Sequence, residues 1–175
     1  MKKIILAIIF ALAVNVSTAF AASVAIYDGD AEELYEDLRD ELEDADSVSY
    51  TVSNFRATDN DFWGCDLSLT PGSEPVGAVG FLGSDDEVFI AMVFCEEETF
   101  NSNAEEMAKL LLITTLGMLE PCGLSEPECD AILAEVMDNP SGGDWGTWSQ
   151  GKYFRIKAMN ENGLCGFVLS AEDGN

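Results

Sequence analysis

Histidine is missing from the sequence, and positive charge is nearly so: its 175 residues carry 33 Asp and Glu against 8 Lys and Arg, a formal charge of −25. Without histidine the commonest general base is gone, and with it the Ser–His and Cys–His nucleophile pairs and most zinc sites. The shortage of cations argues against nucleic acid and anionic membrane surfaces as partners, because so negative a chain repels both. Long apolar runs are scarce as well. One lies at the N-terminus. The other, Lys109 to Leu119 within MAKLLLITTLGML, is shorter than the about 20 residues that a membrane helix needs, and reads as a core helix.

The N-terminal run has a specific form. Met1-Lys2-Lys3 precedes apolar residues from Ile4 to Val14, and small and polar residues then lead to Ala19-Phe20-Ala21. A positive start, an apolar stretch of about ten residues and an Ala-x-Ala end describe a secretory signal peptide over 1–21. The expected product is a single acidic domain, 22–175, periplasmic or secreted, with no stable membrane insertion after cleavage. Loss of Lys2 and Lys3 moves its charge to −27.

An oxidising compartment favours disulfides, and all five cysteines lie in the exported part. Cys122 and Cys129 bracket the turn PCGLSEPEC and are the first expected pair. Cys65 and Cys95 share the strand-rich first half and are the second. That leaves Cys165 as the odd thiol, either buried and inert or available for an intermolecular bridge. Catalytic use of any cysteine is disfavoured, since no histidine is present to activate a thiolate.

Hydrophobic periodicity sets the order of elements. Asp30 and Glu33 form a capping box ahead of Leu34, Tyr35, Leu38 and Leu42, which recur at helical spacing over 31–44. Val48, Tyr50 and Val52 alternate with polar residues, as do Trp63, Cys65, Leu67 and Leu69, giving two strands. A hairpin follows over 76–82 and 87–95, and EVFIAMVFC, apolar on both faces, belongs at the centre of its sheet. Ser102 or Asn103 caps a helix to about residue 119. Ser125 and Glu128 form a capping box that opens another to about Met137. Strands around 145–149, 152–159 and 164–170 close the chain, the last two joined at Asn162-Gly163. The order α-β-β-β-β-α-α-β-β, with room for one more strand, predicts an α+β fold: an antiparallel sheet packed by helices.

Few motifs carry chemistry. GTWSQGK, Gly146 to Lys152, matches a phosphate-binding loop until Tyr153 replaces the metal-binding Ser or Thr, and it sits between strands. The same stretch places Tyr153, Arg155 and Lys157 on one strand face near Trp145 and Trp148. Trp148, Arg155 and Lys157 are therefore the candidate ligand-binding residues, unless these cations offset the protein's own acids. Asp28, Asp30 and Glu32 begin like a calcium loop, but Glu33 stands where glycine is needed and Arg39 where the bidentate Glu is needed. Asp59, Asp61 and Asp66 also lack a full pattern, which leaves weak calcium binding by clustered carboxylates. No pair among the acids is marked out for hydrolysis. The stretch DGDAEELYEDLRDELEDADS, Asp28 to Ser47, holds eleven acids and one cation, Arg39. The sequence thus points to an exported, non-catalytic binding protein without a cofactor, whose partner is a basic protein or cationic ligand. Calcium binding and a carboxylate-dependent hydrolase are the alternatives.

Overall fold

A computed structural model describes residues 23–44, 49–59, 61–139 and 143–174. The expected signal peptide, part of the turn at Asn60 and part of the loop at 140–142 lie outside them. Eight strands form one antiparallel sheet: β1 (Ser23–Val24), β2 (Thr51–Asp59), β3 (Phe62–Ser68), β4 (Gly77–Gly83), β5 (Val88–Glu96), β6 (Asp144–Ser149), β7 (Lys152–Glu161) and β8 (Leu164–Asp173). Their spatial order is β2-β3-β4-β5-β8-β7-β6, and β1 pairs with the end of β8. The described helices are α1 (Ala31–Asp44), α2 (Glu97–Ser102), α3 (Ala104–Leu116) and α4 (Glu126–Asp138). This is the α+β arrangement that the periodicity predicts. Two pieces go beyond that reading. β1 is two residues long, too short to show a period. α2 follows β5 without a break and is separated from α3 by Asn103, whose extended φ of −154° interrupts the helical path.

The sheet has an apolar side facing the helices. Leu34, Leu38 and Leu42 of α1, Leu110 and Leu111 of α3, and Ile132 and Val136 of α4 pack with Val79, Phe81, Val93 and Leu169. Strand residues alone, among them Phe62, Leu82, Met92, Phe94 and Leu164, build a second cluster. β5 contributes to both, with Val93 in the first and Met92 in the second, and lies between β4 and β8 at the centre of the sheet. Two turns carry paired left-handed residues, Gln150-Gly151 and Asn162-Gly163. Two such residues in succession match the twist of a two-residue hairpin, and they join β6 to β7 and β7 to β8.

The capping signals form at α1 and α4 but not at α3: the Asn103 side chain makes no cap bond to the backbone and donates to Glu106 instead, and the Ser102 hydroxyl donates back to the Thr99 carbonyl. The Asp30 carboxylate accepts the backbone N–H groups of Glu32 and Glu33 at 2.9 Å each. Glu128 accepts the backbone N–H and the hydroxyl of Ser125, both at 2.7 Å, and these bonds hold its carboxyl below the usual range.

The cysteine pairing expected from sequence needs correction, since all five thiols are free. Cys65 faces Val79 on β4, and Val79 faces Val93 on β5. A whole strand therefore separates Cys65 from Cys95. Two strand spacings amount to about 9.5 Å, beyond the about 7 Å that a disulfide spans. Cys122 is buried with Lys152, Asp37 and Cys129 within electrostatic reach, and Cys129 is half-buried on α4 beside Glu120, Glu128 and Asp130; the two thiols are near each other but unbonded. Cys165 is buried, as the sequence suggested, but it directly faces Cys95 across β5 and β8.

Candidate functional site

Two surfaces hold the residues singled out by the sequence. The first is the outer face of α1. Like charges at i,i+4, such as Glu32/Glu36, Glu36/Asp40 and Asp40/Asp44, each cost an isolated helix about 0.2–0.5 kcal/mol. Acids at the C-terminal end also oppose the helix dipole. The helix forms because its other face is buried: Leu34 and Leu38 are inaccessible and Leu42 nearly so. Burial of such a side chain stabilises by about 1.5–3 kcal/mol, which outweighs the repulsion. Tyr35 stacks on Phe55 of β2 with ring centres 5.0 Å apart, and the Tyr27 hydroxyl donates to Asp37 at 2.9 Å. Glu32, Glu33, Glu36, Asp37, Asp40, Glu41, Glu43 and Asp44 all remain exposed. Arg39 turns to its neighbour Asp40 at 3.1 Å and does little to break the strip. Partial burial, with Glu120, Asp44 and Asp37 nearby, pushes the Glu41 carboxyl above its ordinary range.

The second surface is the side of β6, β7 and β8 away from the helices. Register pairs Trp148 with Tyr153, Gly146 with Arg155 and Asp144 with Lys157, so Trp148, Arg155 and Lys157 do share one face. Trp148 is 57% exposed and tilts against Tyr153 at 5.2 Å. Arg155, however, is engaged twice. Its guanidinium grips both oxygens of Asp144 in a fork and reaches Glu172 at 3.4 Å. The fork holds the Asp144 carboxyl below its usual range and raises the Arg155 pKa. Lys152 donates to the Ala25 carbonyl at 2.9 Å and lies 3.6 Å from Asp28. These cations thus offset the protein's own acids, and the partners of Arg155 are strand residues rather than α1.

Sequence reasoning missed Asp144 as the partner of Arg155, although Asp144-Trp145-Gly146 leading into a hairpin places that acid diagonal to it. It also missed Glu135, whose carboxylate accepts the outward Gly146 N–H at 3.1 Å and covers part of the free edge of β6. The stretch resembling a phosphate loop is the β6–β7 hairpin itself, with Gln150 and Gly151 at its tip.

Two of the carboxylates proposed for an ion are already engaged. Asp30 caps α1. Asp66 accepts from Arg56 at 2.8 Å and from Asn54 at 2.9 Å, pinning the bulge where β2 shifts register. Among the described residues no three acids or thiols are grouped to hold a metal. A cleft of about 580 Å³ includes Glu74 and Glu106 in its lining, both exposed. A second, of about 190 Å³, lies beside Lys152 and Cys122. Neither cleft is lined by Trp148, Arg155 or Lys157. No described helix is long and apolar enough to cross a membrane. The chain is thus an α+β sheet protein with an acidic helix docked on its apolar side. Comparison with family models, curated proteins and solved structures finds no match to it.

Proposed function

We propose that this protein is exported and acts by binding a basic protein through the outer face of α1, without catalysis. The observation that carries this reading is the exposure of all eight acids of α1, with no cation of another element engaging them in an ion pair at the described residues. Elsewhere most cations are engaged internally, Arg56 with Asp66, Lys109 with Glu105 and Arg155 with Asp144 and Glu172, while Lys157 is exposed. The basic partner would replace the missing counter-charge, and the long-range field would steer its approach. A signal peptide at 1–21 and the lack of histidine support export and the absence of catalysis.

Stopped-flow association with a panel of basic proteins tests the reading. For a protein that binds, the on-rate should fall at least about tenfold from low to physiological salt. The triple change Glu36→Gln, Asp40→Asn, Glu43→Gln should slow association at low salt while leaving the fold intact. An on-rate flat in salt, or unchanged by the triple substitution, would remove α1 as the docking face.

A further inference from the structure

We propose that Cys95 and Cys165 form a cross-strand disulfide when the chain meets a disulfide oxidant, locking β5 to β8 at the centre of the sheet. This inference does not rest on the binding reading. The two residues are direct partners in the β5–β8 register, so their side chains leave the sheet on the same face. Partners across an antiparallel pair have Cα atoms about 4.5–5.5 Å apart, inside the about 4.4–6.8 Å range of disulfides. Their Cβ atoms ordinarily stand about 4.5–5.5 Å apart, at the wide end for a bridge, so the strands must draw together slightly.

One residue along, on the opposite face, the two backbones leave no room for a side chain. Gly166, next to Cys165, faces Phe94, next to Cys95. A Cβ on Gly166 would stand 2.1 Å from the Val93 carbonyl oxygen and 2.8 Å from the Phe94 Cα. Only glycine permits this contact, and it lies one residue from the cysteine pair. Cys65 is placed differently: it is 1% exposed and separated from Cys95 by β4, and neither Cys122 nor Cys129 lies on a strand.

The chemistry is thiol–disulfide exchange. One cysteine thiolate attacks the oxidant's disulfide and displaces one thiol, leaving a mixed disulfide. The second thiolate then attacks that bond and releases the other thiol. Two electrons and two protons leave the cysteine pair, and the oxidant's disulfide is reduced to two thiols. In the folded protein both thiols are covered, Cys165 at 7% and Cys95 at 2% exposure, so an oxidant must reach them before the sheet is complete. Burial, foremost, pushes the Cys95 thiol up to about 11, which disfavours its thiolate in the folded protein and places closure during folding.

The test refolds the full chain with glutathione disulfide and glutathione, quenches it with acid, alkylates it under denaturing conditions and maps its peptides without reduction. The expected product is a peptide linking Cys95 to Cys165, lighter by two hydrogens, in the wild type and in Cys65→Ser alike. Closing a loop of about 70 residues should raise the melting temperature by about 10 °C over the reduced protein, a difference absent from the double variant Cys95→Ser, Cys165→Ser. Quantitative alkylation of both Cys95 and Cys165 after oxidative refolding would overturn the proposal. So would Cys165 bridged to any other cysteine.

Discussion

Glu41 and Asp144 show opposite responses to their surroundings. The Glu41 carboxyl is pushed up, chiefly by partial burial and then by Glu120, Asp44 and Asp37. A folded pKa above the unfolded one makes ionisation a cost that is present near neutrality and disappears as pH falls through the raised value. Stability should therefore increase on mild acidification. Glu41→Gln should raise the melting temperature at neutral pH and shrink that increase, as thermal melts across pH would show. Asp144, held down by the Arg155 fork, contributes stability above its unfolded pKa that is lost only as pH falls through its lower folded value. Both partners are partly exposed, with side-chain exposures of 36% for Arg155 and 42% for Asp144. A double-mutant cycle with Arg155→Ala and Asp144→Ala should give a coupling of about 0.5–1 kcal/mol by chemical denaturation. No coupling would mean that the fork is not formed in solution. Arg155 was legible as one of a group of cations on a strand face. Its engagement was not, because Asp144 meets it only through the β6–β7 register.

Helix α1 depends on its docking. A peptide spanning residues 28–47 should lack helical circular dichroism at neutral pH and low salt, and gain it at acid pH as the carboxylates are neutralised. Substantial helix at neutral pH would contradict the balance drawn between charge repulsion and leucine burial. In the whole protein, Leu38→Ala should cost about 2–5 kcal/mol by denaturation, because Leu38 is inaccessible and its removal leaves a cavity beneath the helix. The range of α1 could be read from Asp30 and the spacing of Leu34, Leu38 and Leu42. Helix α2 could not, since EETFNS has no buried residue and no apolar period. The two edge strands are protected in different ways. β2 is bulged and pinned by Asp66 to Arg56 and Asn54, while Glu135 of α4 occupies an outward N–H of β6.

The net charge of −25 acts on the molecule as a whole. Dense like charge opposes the compact state, so added salt should raise the melting temperature by screening. Sodium and calcium chlorides at matched ionic strength should raise it alike, since Asp30 and Asp66 already serve the backbone and the β2 bulge. An extra rise with calcium would instead support a specific ion site. Periodicity, caps and turn residues determined the element order, the place of β5 and the ends of α1 and α4, because each depends on neighbours a few residues away. The sequence alone also determined the lack of histidine-based chemistry and the surplus of acid. Contacts between distant segments were decided only by the tertiary structure. Strand order set Cys165 against Cys95 and put β4 between Cys95 and Cys65. The hairpin register likewise gave Arg155 to Asp144 and Glu172. That the acids of α1 lack a counter-charge was decided in the same way: among the described residues no cation of another element forms an ion pair with them, and a neighbour across the sheet has no fixed separation along the chain.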